Sequence, residues 1–338
     1  MDRGTDRMNL KPLKKARPAE REPAEAEGPP TAHTRAPTTL SGRIRLALKP
    51  RIRELRFDMH LLSRSATSIA GMVLIIGLII VWLFPTLFAP PVPGTSPYQI
   101  PLIFNANPPA PPNSHHIMGT GEYNADIYYG VIWGTQISFV FAVEVVILGA
   151  LMGLILGLFA GYFGGVIDEL IMRLTDIFLS IPGLILVMAI VAALGRGLGA
   201  TKIALLITWW SGYTRLIRGT ALSVRENSYV DAARASGSGE LKIMFRHILP
   251  NSWTPVIVQA TMDMGTVVLV LAGLSFLGLG AQPGYAEWGS MINQGQGFLA
   301  QGYWWMILFP GIAILMFVLA FNLMGDGLRD ILDPKMRR

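Results

Sequence analysis

Apolar residues gather in six long runs separated by short polar stretches, a pattern that predicts membrane-crossing helices. The first run, Ala66 to Ala89, holds 24 residues and no charge. At 1.5 Å per residue it would span about 36 Å, enough for a tilted crossing of a hydrocarbon layer of about 30 Å. It lies too far into the chain for a cleavable leader and reads as a permanent anchor. Further runs fall at about 131–160, 177–194, 200–217, 255–280 and 303–323. The fourth has the shortest apolar core, Ile203 to Trp210, and passes quickly into Arg215 and Arg218.

The polar stretches differ from one another. Residues 1–42 are rich in Pro, Ala, Glu, Lys and Arg, and are expected to be disordered for want of apolar surface to bury. Residues 43–65 predict a basic amphipathic helix on an anionic membrane surface. There Ile44, Leu48, Ile52, Leu55, Met59 and Leu62 recur every three or four positions among arginines and a lysine. An ordinary packed surface helix is the alternative. Fifteen of the 28 Lys and Arg precede residue 66, six lie between runs four and five, and four follow run six. The 90–130 and 281–302 loops hold none. Positive residues favour the cytoplasm, so both termini are expected inside and the proline-rich 90–130 loop outside. That loop reads as extended chain ordered against its neighbours. Gly149, Gly153, Gly157, Gly161 and Gly165 recur every fourth residue, a bare face on which another helix can pack closely.

Composition agrees with a polytopic membrane protein: 51% hydrophobic, 15% charged, net charge +6, and a mean hydropathy of +0.45. Cysteine is absent, which removes disulfides, thiolate metal sites and thiol nucleophiles. No phosphate-binding Gly-x4-Gly-Lys-Ser/Thr loop is present, so any ATP hydrolysis must come from a partner. His115 and His116 are adjacent and lack a visible third ligand, so no metal site is expected. Glu144 and Asp263 lie inside apolar runs, where charge is costly and often functional. They are candidates to line a transport path, or to make interhelix hydrogen bonds.

The polar stretch 226–250 interrupts the apolar pattern most sharply. It reads Asp231-Ala232-Ala233-Arg234-Ala235-Ser236-Gly237, then carries Leu241, Met244, Phe245 and Ile248 at helical spacing, and closes on Pro250. Gly237 permits a left-handed turn. The four apolar residues predict a ridge able to enter a groove on a partner, with Pro250 ending its helix. This stretch resembles the "EAA" loop of ABC-transporter permease subunits, with Asp231 where that family has glutamate. Gly161-Tyr-Phe-Gly-Gly-Val-Ile-Asp168, Leu274-Ser-Phe-Leu-Gly-Leu-Gly280, Glu287-Trp-Gly289 and Gly325-Asp-Gly-Leu-Arg-Asp330 resemble the dipeptide, oligopeptide and nickel permeases, in particular the C-type subunit of the pair. The likeness covers about residues 115–338. Gly119-Thr-Gly-Glu-Tyr-Asn-Ala-Asp126 and Leu271 depart from it, where that subfamily usually carries further acids.

The resemblance implies an all-α fold of six transmembrane helices, the type I ABC importer permease fold. Its permease domain would occupy 66–338, with a core at 131–325 and a coupling loop at 226–250. It also implies a second permease subunit, two cytoplasmic ATPases, an external solute-binding protein, and a location in a prokaryotic plasma membrane. No cofactor would be bound by this chain, ATP and Mg2+ belonging to the ATPases. Short peptides are the expected solute, with oligosaccharides or nickel as alternatives. A stand-alone proton-coupled transporter using Glu144 or Asp263 is the rival class, and it predicts inverted repeats that are not visible.

Overall fold

Ala66–Leu83 forms the first helix, α1, of a computed structural model that describes residues 66–103 and 108–332. The sequence expectations for 1–42 and 43–65 lie outside the described residues. Each apolar run is helical, because a chain in lipid has no water to satisfy its backbone and must pair its own N–H and C=O groups. After the short α2 (Pro85–Phe88) and a 3-10 turn at Glu122–Asn124 come α3 (Ile127–Phe163), α4 (Gly165–Ser180), α5 (Gly183–Leu194) and α6 (Leu198–Arg225). Polar helices follow: α7 (Ser228–Ala235), α8 (Glu240–Ile243) and α9 (Leu249–Ser252). Then come α10 (Thr254–Phe276), α11 (Trp288–Gln296) and α12 (Trp305–Leu332). The described residues contain no strands beyond isolated bridges.

Four of these helices, α1, α3, α10 and α12, are long and apolar enough to cross a membrane by themselves. The third apolar run is not one straight helix. It breaks at Ile181 and Pro182, and α4 and α5 meet there at 90°. Ile181 is extended, as steric conflict with a following proline demands. The fourth run, the weakest by hydropathy, continues without a break into the 28-residue α6 and carries Arg215, Arg218 and Arg225 on its end.

The glycine stripe on α3 explains how α3 and α6 meet. A Cβ on Gly153 would stand 2.3 Å from Tyr213 Cβ, and one on Gly157 2.5 Å from the Thr214 carbonyl oxygen. Gly149 and Gly161 likewise face α6, whereas Gly165, the last of the stripe, faces open space at the start of α4. The packing role expected of the stripe thus belongs to four of its five members.

The loop between α2 and α3 is laid against neighbouring helices by side-chain hydrogen bonds. Trp133 Nε1 donates to the Ala89 carbonyl at 3.0 Å, Tyr129 Oη to that of Pro97 at 3.0 Å, and Trp305 Nε1 to that of Thr120 at 3.0 Å. Asp126 caps α3 by accepting from Tyr129 N at 3.1 Å, and its other oxygen meets His116 Nδ1 at 2.7 Å. Among the described residues no three His, Asp or Glu side chains gather as metal donors.

Two apolar cores result. One joins α1, α3, α5, α6, α10, α11 and α12 around Trp288, Phe317, Val267 and Leu271. The other joins α3 and α6 to the polar helices, through Leu158, Tyr213, Ile217, Val230, Ile243, Met244 and Ile248.

Candidate coupling loop and intramembrane cleft

The 226–250 stretch hangs from the second core. Val230, Ile243, Met244 and Ile248 are completely or almost completely buried against α3 and α6, which fixes the loop on its own chain. Within α7, Asp231 and Ala232 are exposed, while Ala233 is half-buried against that core. Asp231 Oδ1 accepts from Arg234 Nη1 at 3.1 Å. Gly237 is left-handed, φ 77°, so its N–H donates to the Arg234 carbonyl and that of Ser238 to the Ala233 carbonyl, closing α7.

Beyond that turn the expected ridge of four apolar residues divides. Leu241 and Phe245 point outward, 59% and 49% exposed, but Met244 and Ile248 turn inward. The apolar stripe is wide enough to serve two surfaces, and spacing alone does not show which residues the loop needs for its own anchorage. Pro250 is exposed and does not end the helix, as had been expected. Met244–Ile248 forms a π turn in which Leu249 N donates to the Met244 carbonyl. The wider turn carries the chain past a proline that has no N–H to give. Asn251 Nδ2 donates to the His247 carbonyl at 2.6 Å and satisfies a neighbouring acceptor.

Ion pairs brace the base of the loop. Arg218 forks onto Asp168, with Nη2 2.7 Å from Oδ2, and Arg215 pairs with Asp176, tying α6 to α4. Arg225 Nη1 donates to the Tyr162 carbonyl at 2.9 Å. The sequence showed the charges but not their partners, which lie 39 to 63 residues away.

The two acids within the apolar runs lie in different surroundings. Glu144 pairs with Lys202, whose ammonium also stands 5.7 Å from the centre of the Phe141 ring. Asp263 lies in a cleft of about 370 Å3 between α6, α10 and the end of α4, lined by Thr208, Trp209, Ser211, Gly212, Tyr213 and Gln259 among others. Trp209 Nε1 donates to one Asp263 oxygen at 3.1 Å and Gln259 Nε2 to the other at 2.8 Å. The position of Gln259, one helical turn before Asp263, was legible in the sequence; that of Trp209 was not.

Two further clefts share lining residues with this one. Leu216 and Gln259 also line one of about 580 Å3 that reaches Asn251 and Arg329. Thr208, Trp209 and Ser211 also line one of about 370 Å3 that reaches the Pro182 elbow. The three together set a line of clefts, a groove, along α10 and α6. Gln259, Asp263 and Thr266, at four- and three-residue spacing, give α10 a polar stripe that none of the described lysines or arginines neutralises.

Residues 153–338 match the family described as binding-protein-dependent transport system inner membrane component. The dipeptide transport system permease protein DppC of Alkalihalophilus pseudofirmus is 40% identical over 277 residues, covering 82% of this chain and 88% of that protein. The protein of the same name from Escherichia coli is 39% identical over 285 residues, covering 82% and 92%. Among solved structures, one of inward facing conformations of the MetNI methionine ABC transporter aligns with a TM-score of 0.49 and 20% identity, over 61% of this chain and 97% of that chain.

Proposed function

The chain belongs to the family of binding-protein-dependent transport system inner membrane components, and from that premise we propose that it is the membrane-spanning permease subunit of an ATP-driven importer of short peptides. Relatives covering most of its length are named as dipeptide permeases. The proposal assigns ATP and Mg2+ to two cytoplasmic ATPase subunits, solute delivery to an external binding protein, and half of the path to a second, related permease. All six apolar runs cross the membrane, and both termini lie in the cytoplasm.

One observation carries the coupling role. A polar loop, anchored to the membrane helices by four buried apolar residues, presents Leu241 and Phe245 to water. An exposed pair at four-residue spacing suits insertion into a groove. Asp231, Ala232, Ala233, Gly237 and Pro250 shape the loop, and Met244 and Ile248 hold it to the permease, so ATPase movement would reach α3 and α6 directly. The polar groove along α10 serves as this chain's half of the path, because polar side chains at membrane depth require a water-filled cavity or a partner. Glu144, already matched by Lys202, has a structural role there.

The test is affinity purification of this chain from its native membrane. Native chain should bring a second permease and P-loop ATPases. Phe245→Glu, at an exposed position, should lose the ATPases while membrane insertion and the second permease remain. Full ATPase recovery and normal peptide uptake in that variant would remove the docking role.

A further inference from the structure

Glu144 and Asp263 are the acids set deep in the apolar runs, and the fold gives them different partners. Glu144 has a cation, Lys202. Among the described residues Asp263 has neutral neighbours alone: the Trp209 indole and the Gln259 amide donate to it, the Tyr213 hydroxyl stands beside it, and no Lys, Arg or His pairs with it. Neutral donors orient a carboxylate without cancelling its charge. The acid therefore faces the cleft with no cation of its own beside it among the described residues, and at membrane depth its negative form needs a visiting cation or a proton.

The chemistry of the cleft narrows which cation that is. A transition metal prefers imidazole or thiolate donors in groups, and the cleft lining holds no His, the chain no Cys, and the described residues no cluster of three such donors. An ammonium needs only one well-placed acceptor with water or other groups around it. We propose that Asp263 receives the free α-ammonium group of a peptide as it passes through the cleft. The proposal rests on reading the groove as half of the transport path.

Gly212 supplies a probe. It lines the same cleft, a Cβ added there meets nothing within 4 Å, and the chain has no cysteine of its own. Gly212→Cys is introduced into the full transporter, and inside-out membrane vesicles are treated with the anionic reagent sulfonatoethyl methanethiosulfonate. Labelling is read as the mass shift of this chain. Alanyl-alanine at about ten times its half-saturating concentration should slow labelling about tenfold, as occupancy leaves about a tenth of the sites free. N-acetyl-alanyl-alanine, which has no ammonium, should not. Asp263→Asn should abolish the slowing by alanyl-alanine, and Asp263→Glu should keep it. Equal slowing by the two peptides, slowing by neither, or slowing that survives in Asp263→Asn would overturn the ammonium role while leaving a wet groove consistent with the path. A thiol that does not label at all would overturn both readings.

Discussion

Gly153 sets how closely α3 approaches α6. Its missing side chain leaves room for the Tyr213 Cβ and the Trp210 carbonyl. Gly153→Val forces overpacking, which costs about 1–3 kcal/mol. The melting temperature of the detergent-purified protein should fall clearly, while Gly212→Ala, in open space, should leave it unchanged. Glu287 works in the opposite way, as a buried polar residue that organises its surroundings. Its two oxygens accept from Gly289 N at 3.0 Å and Ser290 N at 2.8 Å and so cap α11. Burial raises its pKa above the ordinary glutamate value of 4.5, and the two backbone N–H groups only partly offset that. A raised native pKa means that protonation favours the folded state. This contribution is fully present below the unfolded pKa and is lost as pH rises through the native one. Stability should therefore decline as pH rises from about 4.5. In Glu287→Gln that decline should disappear. The amide NH2 cannot accept from Ser290 N, so the variant should also lose about 1–3 kcal/mol. Melting curves across pH, native against variant, check both.

At the scale of elements, two interruptions shape the helices that carry the groove and the loop. Pro182 separates α4 from α5, and the elbow it makes forms the far wall of the groove. The π turn at Met244–Ile248 carries the polar loop past Pro250 and back toward α10. Between α3 and α6 the Glu144–Lys202 pair adds a contact that glycine packing does not need. Both side chains are more than a third exposed, so the pair contributes at most about 1 kcal/mol. Glu144→Gln and Lys202→Met should each lower stability or yield slightly, and the double variant should recover what the single changes lose. A double-mutant cycle on melting temperature measures this coupling. A loss in the double variant equal to the sum of the two single losses would show that the pair does not act as one.

At the scale of the molecule, the loop and the groove lie on a common framework. The second core holds the loop, and its helix α6 continues into the cleft that contains Asp263, with α3 packed along α6 through its glycine face. Movement imposed on Leu241 and Phe245 thus has a packed route to the path. The arrangement requires the loop and the end of α12 to share the cytoplasmic side, as the arginine and lysine distribution indicates. A reporter active only in the cytoplasm, fused after Arg338, should be active. A reporter active only outside should be silent there and active when inserted after Thr95, in the loop between α2 and α3 that holds no lysine or arginine. The reverse pattern would invert the topology and place the loop away from any ATPase.

The sequence by itself determined the class of protein and the ground plan. Long uncharged runs, a lopsided distribution of basic residues and the polar loop with Gly237 are local or additive properties, and such properties survive without knowledge of contacts. The four packing glycines were legible for the same reason, since a bare face at four-residue spacing belongs to one helix. Only the tertiary structure decided which of Leu241, Met244, Phe245 and Ile248 look outward, because that depends on what α3 and α6 have room to cover. Only the tertiary structure matched Glu144 with Lys202 and left Asp263 with Trp209 and Gln259. Trp209 is 54 positions from Asp263, and Lys202 lies on a different helix from Glu144. A charge read in sequence carries no partner with it. The packing of distant helices supplies the partner, and that packing separates a structural acid from one left facing the cleft.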